Sequence, residues 1–237
     1  MVLAFWQLLA MLVPHRLFPT PLAVVGEMWT QAVAGSLLAD LGKTLSRVAI
    51  GFAAAMLIGT AIGIAVGRNR VLDRLAGPWL VVGLNLPAIV SAIVLYIWLG
   101  LTEFALILAV VVNKVPLVVA TVREGVRSLD PGYDELARAY RLPFVRRLGL
   151  VVLPQLLPFL LAAARTGLSL IWKIVLVFEV LGSDGGIGFR ISVMFQFFDV
   201  TGILAVTASF VAIVVAFDYL VLRPLDQRMQ RWRPVRA

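Results

Sequence analysis

The sequence contains no cysteine, which excludes a disulfide framework, a thiolate metal site and a cysteine nucleophile. Histidine is almost absent. The single one, His15, lies in a short polar link near the N-terminus, where a lone imidazole is more often solvated than catalytic. Charge is scarce too: 14% of residues are charged, against about 25% in an ordinary soluble domain. No paired-carboxylate cleft, metal-ligand cluster or serine–histidine arrangement emerges. LGKT at 41–44 resembles the end of a phosphate-binding loop, but the glycine required five positions before Gly42 is Leu37, so it is not one.

What is present is apolar. Of 237 residues, 61% are hydrophobic, and the mean hydropathy is +0.98. This is the composition of a polytopic membrane protein. Long apolar spans are expected at 45–67, 79–99, 104–122, 156–181 and 202–222, each near the ~20 residues a helix needs to cross the hydrocarbon core. The net charge of +8 is not a nucleic-acid patch. It collects after alternate spans, as Arg68, Arg70 and Arg74, then Arg123, Arg127, Arg138, Arg141, Arg146 and Arg147, then Arg223, Arg228, Arg231, Arg233 and Arg236. The other side holds only Arg16, Lys43, Arg47 and Arg190. The positive-inside rule makes the first set cytoplasmic, with the C-terminus. Trp232 in the basic tail suits an anionic inner leaflet.

Residues 1–13 are apolar but end at Pro14, giving about 20 Å of helix against a core of about 30 Å. They read as a shortened first span, with translation starting upstream as one explanation. A signal peptide is disfavoured, because no basic region precedes the run and no small-residue cleavage site follows it. Residues 14–43 are then external, with a surface helix at 21–40 carrying Glu27, Trp29 and Asp40.

Within the spans, Gly51, Gly59, Gly63 and Gly67 form a small-residue stripe that lets helices approach closely in lipid. Asn85 and Pro87 lie inside a span, as a kink or as part of a solute path. Asn113 and Lys114 interrupt the next; a lysine at depth costs on the order of 2.5–3.5 kcal/mol on insertion scales, and Lys114 is expected to snorkel toward the inner end. Residues 156–181 carry Arg165, Lys173 and Glu179. Lys173 is too central to snorkel and must face protein or water. Glu179 is six residues further on, off the same face, and is either on the solute path or in a buried pair with another span. GSDGGIGF at 182–189 reads as a tight turn rather than a phosphate cradle, since no lysine follows its glycines.

The most polar stretch is DPGYDELARAYRLPFVRRLGLVVLP, residues 130–154. Asp130 can cap a helix and Pro131 suits its first turn. Asp134 and Glu135 follow where the dipole favours carboxylates. Pro143 then breaks the helix, and a second helix rises through Leu148, Val151 and Val152 to Pro154. This loop resembles the coupling loop of bacterial ABC-importer permeases, written E-A-A, three residues, G, nine residues, I, any residue, L-P. Glu135, Ala137, Val151 and Leu153-Pro154 hold their positions; Leu136 replaces an alanine and Arg141 the glycine. The run at 45–78, together with Trp98-Leu99-Gly100 and Glu179 before Gly186-Ile187-Gly188, is similar to the nitrate, taurine and aliphatic-sulfonate branch. The several prolines and the arginine usual in that branch near Asn85 are reduced here to Pro87.

The resemblance implies an all-α polytopic membrane protein of the type I ABC-importer permease fold, with five full transmembrane helices and a short N-terminal hydrophobic helix. Residues 1–35 would be the shortened span and external segment, and 36–237 the permease domain with its coupling loop at 123–154. The chain would be a homodimer in the bacterial cytoplasmic membrane, in contact with lipid and no nucleic acid. It would work with an ABC ATPase dimer and an extracytoplasmic solute-binding protein. It would hold no cofactor and no metal of its own, ATP and Mg belonging to the ATPase. Asp134, Glu135, Ala137, Arg138, Tyr140 and Arg141 would couple to the ATPase, Ala137 by allowing close approach. Asn85, Lys173 and Glu179 would line the path of a small anion. The alternatives are a membrane-embedded enzyme, which lacks its acid or nucleophile cluster, and a self-sufficient channel or secondary transporter, which would be favoured by inverted repeats that are not evident.

Overall fold

The computed structural model describes residues 2–12 and 17–224. His15, Arg16 and the tail residues Arg228, Arg231, Trp232, Arg233 and Arg236 lie outside the described residues, as do the side chains of Asp134 and Arg138. The described chain is helical almost throughout. In order come α1 (Val2–Leu12), α2 (Pro21–Ala34), α3 (Leu37–Arg68), α4 (Arg70–Asn85), α5 (Ala88–Leu99), α6 (Glu103–Arg127), α7 (Pro131–Ala139), α8 (Phe144–Arg147), α9 (Leu153–Gly182), α10 (Ile187–Gln196) and α11 (Val200–Phe217).

Most starts are written locally. Thr20, Asn69, Thr102 and Asp199 each accept, through a side-chain oxygen, an N–H of the first turn of α2, α4, α6 and α11, satisfying donors that have no intrahelical partner. Among the described residues, four helices are long and apolar enough to cross a membrane: 37–68, 103–127, 145–182 and 200–221. Helices α4 and α5 make a fifth span only as a pair, and they are bent by 96°.

Four expectations change. The surface helix expected over 21–40 stops at Ala34, and α3 already begins at Leu37, because Gly35 and Ser36 interrupt the helix. The span expected at 79–99 is two helices, broken where Pro87 cannot donate a backbone hydrogen bond. The second helix of the polar loop does not end at Pro154: a π-helical turn over Leu148–Val152 joins α8 to α9, giving one helix from 145 to 182. Pro154 lies inside this continuous helix, two residues past the π-helical turn, where it leaves one carbonyl of the ladder without its backbone donor. Lys114 does not snorkel. It lies at the middle of α6 and is 4% exposed.

The chain divides into two compact units, one of Met1–Ser46 with Leu176–Ala237, the other of Arg47–Val175. In the first, α2 packs on α1 and α11, and α10 on α11. The second is built on the glycine stripe. A Cβ at Gly51, Gly59, Gly63 or Gly67 would lie within 3 Å of Val110, Val118, Val122 or Val126 in turn, so α3 and α6 touch along four matched steps. In lipid such contact is held by close van der Waals packing rather than by water expulsion. Ala55 and Lys114, 1% and 4% exposed, fall at the step between Gly51–Val110 and Gly59–Val118. Val118, Val122 and Val126 continue into a core with Val152, Leu156 and Ala163, which ties the end of α6 to the start of α9.

Candidate functional site

The polar loop forms a short helix and a sharp corner. Asp130 accepts the N–H of Gly132 through Oδ1 at 2.8 Å, and its own N–H donates to Gln155 Oε1 at 3.3 Å. The start of α7 is thereby pinned to α9. At the far end Arg141 has φ of 50°, and the Leu142 N–H reaches back to the Ala137 carbonyl at 2.9 Å. This is the six-to-one bond of a Schellman cap, with the left-handed residue where glycine is usual. The turn expected of the replaced glycine is therefore made by arginine.

Around that corner Tyr133, Glu135, Leu136, Tyr140, Arg141, Val145 and Arg146 are exposed, Tyr140 at 74% and Val145 at 78%. The backbone of Asp134 and Arg138 is in α7. Ala137 is different: it is 2% exposed, so its small size is used inside this chain, where α7 lies against the π turn.

Of the three expected pathway residues, Asn85 and Lys173 belong to one unit and Glu179 to the other. Asn85 ends α4 at the 96° bend, exposed, with its amide donating to the Val81 carbonyl at 2.8 Å. Lys173 is exposed on α9, while Ile171, Trp172 and Val175 are buried. Thr166 and Ser169 are exposed as well. Spacings of three and four place them on one face with Lys173. The sequence reading missed this polar stripe because neither hydroxyl is unusual alone.

Glu179 is 0% exposed. Both its carboxylate oxygens accept the Thr44 hydroxyl at 2.9 Å, and Oε2 also accepts the Gly188 N–H at 2.9 Å. Thr44 Oγ1 accepts the Ile187 N–H at 2.9 Å, and Asp40 Oδ1 the Gly186 N–H at 3.1 Å. Three successive N–H groups at the start of α10 are thus taken by three side chains from α3 and α9. Gly186 has φ of 99°, and a Cβ on Gly188 would lie 2.4 Å from the Leu176 carbonyl oxygen, so the expected tight turn is present and glycine is required in it. Arg190 and Ser36 complete the partners of Asp40. Asp40, Thr44 and α10 itself were not foreseen; the available signal was a glycine turn opening a helix, which needs acceptors for its first N–H groups.

The sequence model of the family "Binding-protein-dependent transport system inner membrane component" matches residues 55–231. The chain belongs to that family. It is an ABC-transporter permease. It is 26% identical over 234 residues to the "Putative aliphatic sulfonates transport permease protein SsuC" of Bacillus subtilis (strain 168), covering 98% of this chain and 84% of that protein. It is 26% identical to the taurine transport system permease protein TauC of Escherichia coli (strain K12), covering 98% and 86%. It is 27% identical to the bicarbonate transport system permease protein CmpB of Synechococcus elongatus, covering 97% and 85%. Among solved structures, an inward-facing form of the MetNI methionine ABC transporter aligns with a TM-score of 0.67 at 19% identity, over 84% of this chain and 96% of that one. An amino acid ABC transporter aligns with a TM-score of 0.64 at 18% identity, covering 81% and 93%. The permease therefore has the type I ABC-importer fold, and the polar loop of 130–154 occupies the matched region.

Proposed function

We propose that this permease carries a small anion, a sulfonate, taurine or an inorganic anion such as bicarbonate or nitrate, through a homodimer driven by a separate ABC ATPase dimer and fed by an extracytoplasmic binding protein. One observation carries the anion reading: the exposed face of α9 bearing Thr166, Ser169 and Lys173. A face with a central lysine is costly against lipid, so its natural neighbour is a second protein surface or a hydrated path. A cation in a passage walled by apolar side chains concentrates field on an anion. The printed names of the relatives point the same way.

Coupling falls to the exposed corner of Glu135, Leu136, Tyr140 and Arg141, with Asp134 and Arg138 on the same short helix. ATP and Mg belong to the ATPase. Nucleotide binding there would draw two such corners together and turn the path outward; hydrolysis would reverse it. The charge distribution supports a cytoplasmic position for this corner and for the C-terminus in a bacterial cell.

The test is reconstitution with the cognate ATPase and binding protein, after a ligand screen on the binding protein. The solute found should be anionic at neutral pH, and loaded binding protein should stimulate hydrolysis. Glu135→Lys should leave the complex in the membrane and break the link between hydrolysis and uptake. A neutral or cationic solute overturns the anion reading, and normal stimulated uptake in Glu135→Lys overturns the coupling one.

A further inference from the structure

Asp73, in the first turn of α4, is held by two arginines of α6. Arg127 Nη2 pairs with its Oδ2, and Arg123 Nη1 lies 3.5 Å from its Oδ1. The arginines are four residues apart and so share a helix face. Glu124 closes the ring, 2.8 Å from Arg123 Nη2 and 3.5 Å from Arg127 Nη1. Two cations and two anions balance. The Asp73 and Arg123 side chains are only 20% and 22% exposed, so this is more than a solvated surface pair.

The position of the ring matters. Helix α4 buries none of its residues, so no deep apolar core fixes it. Its contacts with α6 include the ring at one end and Gly83 against Pro116 at the other. Beyond Gly83 comes the bend into α5. On the α6 side the connection to α7 has no slack. The Ser128 N–H bonds to the Glu124 carbonyl at 3.1 Å and the Leu129 N–H to the Val126 carbonyl at 3.4 Å. The next residue is Asp130, which caps α7 and bonds Gln155.

We infer that Asp73, Arg123 and Arg127 are positioning residues of transport: they act as a charged strut that carries displacement of α7 through the end of α6 into α4 and its bend. This rests on the reading of α7 as the ATPase contact. With the strut cut, α7 and α6 would still move, but the ring end of α4 would follow less.

The test uses the whole complex of permease, ATPase and loaded binding protein in proteoliposomes, reading uptake and ATP hydrolysis together. Asp73→Asn is expected to lower uptake per ATP hydrolysed by about fivefold or more, with assembly retained. Asp73→Arg combined with Arg127→Asp is expected to recover at least about half of the loss, which a merely structural role in assembly would not produce. Should Asp73→Asn not assemble, Arg127→Gln, on the more exposed arm, is read in the same way. An unchanged ratio in the assembled variant, or a charge swap that assembles without recovery, overturns the strut. A wild-type complex that does not couple hydrolysis to uptake overturns the functional reading instead, so the two failures are distinguishable.

Discussion

The Leu142 N–H donates to the Ala137 carbonyl at 2.9 Å across Arg141, whose φ is 50°. That bond closes the corner between α7 and α8 and places a β-carbon where the left-handed conformation disfavours one. A non-glycine residue there costs on the order of 1–2 kcal/mol. Arg141→Gly is expected to recover about 1 kcal/mol locally and Arg141→Val to lose at least as much. Amide hydrogen exchange at Leu142 reads this directly, slower in the glycine variant and faster in the valine one. Equal protection in all three would mean the cap is not formed in solution.

Thr44 and Glu179 make a second testable joint. Thr44 donates to the carboxylate and accepts the Ile187 N–H, so removing its hydroxyl takes the acceptor from that buried N–H and one of the donors from Glu179, which keeps the Gly188 N–H. Thr44→Val keeps shape and should cost on the order of 1–3 kcal/mol, about 2–4 °C per kcal/mol in the melting temperature of a chain this size. Thr44→Ser keeps both bonds and should melt within about a degree of wild type. Equal melting of the two variants would show that the hydroxyl is not what secures the start of α10.

The glycine stripe separates close packing from helix propensity. At Gly63 a Cβ would lie 2.7 Å from the Val122 Cβ and 3.1 Å from the Val119 carbonyl oxygen, whereas Gly42 has nothing within 4 Å. Gly63→Ala should destabilise by about 1–3 kcal/mol through overpacking. Gly42→Ala should be neutral or gain up to about 1 kcal/mol from helix propensity. Thermal unfolding in detergent compares them, and a stabilised Gly63→Ala would mean that α3 and α6 are further apart than described.

These three cases show what the sequence reveals by itself and what it does not. The stripe and the loop were legible because each is a local spacing: every-fourth glycine, Asp130-Pro131 before a helix, a proline after it. The bend was half legible, since Pro87 announces a break but not its 96° angle, which depends on how α4 and α5 each pack on α6. The anchorage of Glu179 was not legible, because its partners, Thr44 and Gly188, come from elsewhere in the chain, and no periodicity in α9 reveals them. The burial of Lys114 is hidden for a related reason. Distance along the chain suggests an exit toward the inner end, but its burial is set by the register of α3 on α6.

Orientation can be checked in the same cysteine-free background. Ser128 is exposed at the end of α6, and the Asp184 side chain is 77% exposed in the glycine turn. Ser128→Cys should be shielded from membrane-impermeant thiol reagents in intact cells, and Asp184→Cys should react. Labelling in the opposite pattern would invert the charge-based topology, and with it the assignment of α7 to the ATPase side.

Two substitutions on the exposed face of α9 separate a pathway role for Lys173 from a structural one. Lys173→Met keeps length and removes charge; Ser169→Ala removes one hydroxyl from the same exposed face and leaves the charge. Neither side chain is buried in this chain, so neither change opens a cavity within it, and both variants should assemble with the ATPase. If the face meets solute, Lys173→Met should lower anion uptake by about tenfold or more, corresponding to one lost charge contact of about 1.4 kcal/mol or more, while Ser169→Ala lowers it less. Raising ionic strength should weaken the wild type and leave Lys173→Met nearly unchanged, because screening acts only on the charge that remains. If instead the face is a protein interface without solute, Lys173→Met should alter dimer stability in detergent and leave transport per assembled complex intact. Uptake and dimer dissociation measured on the same preparation therefore decide between the two roles.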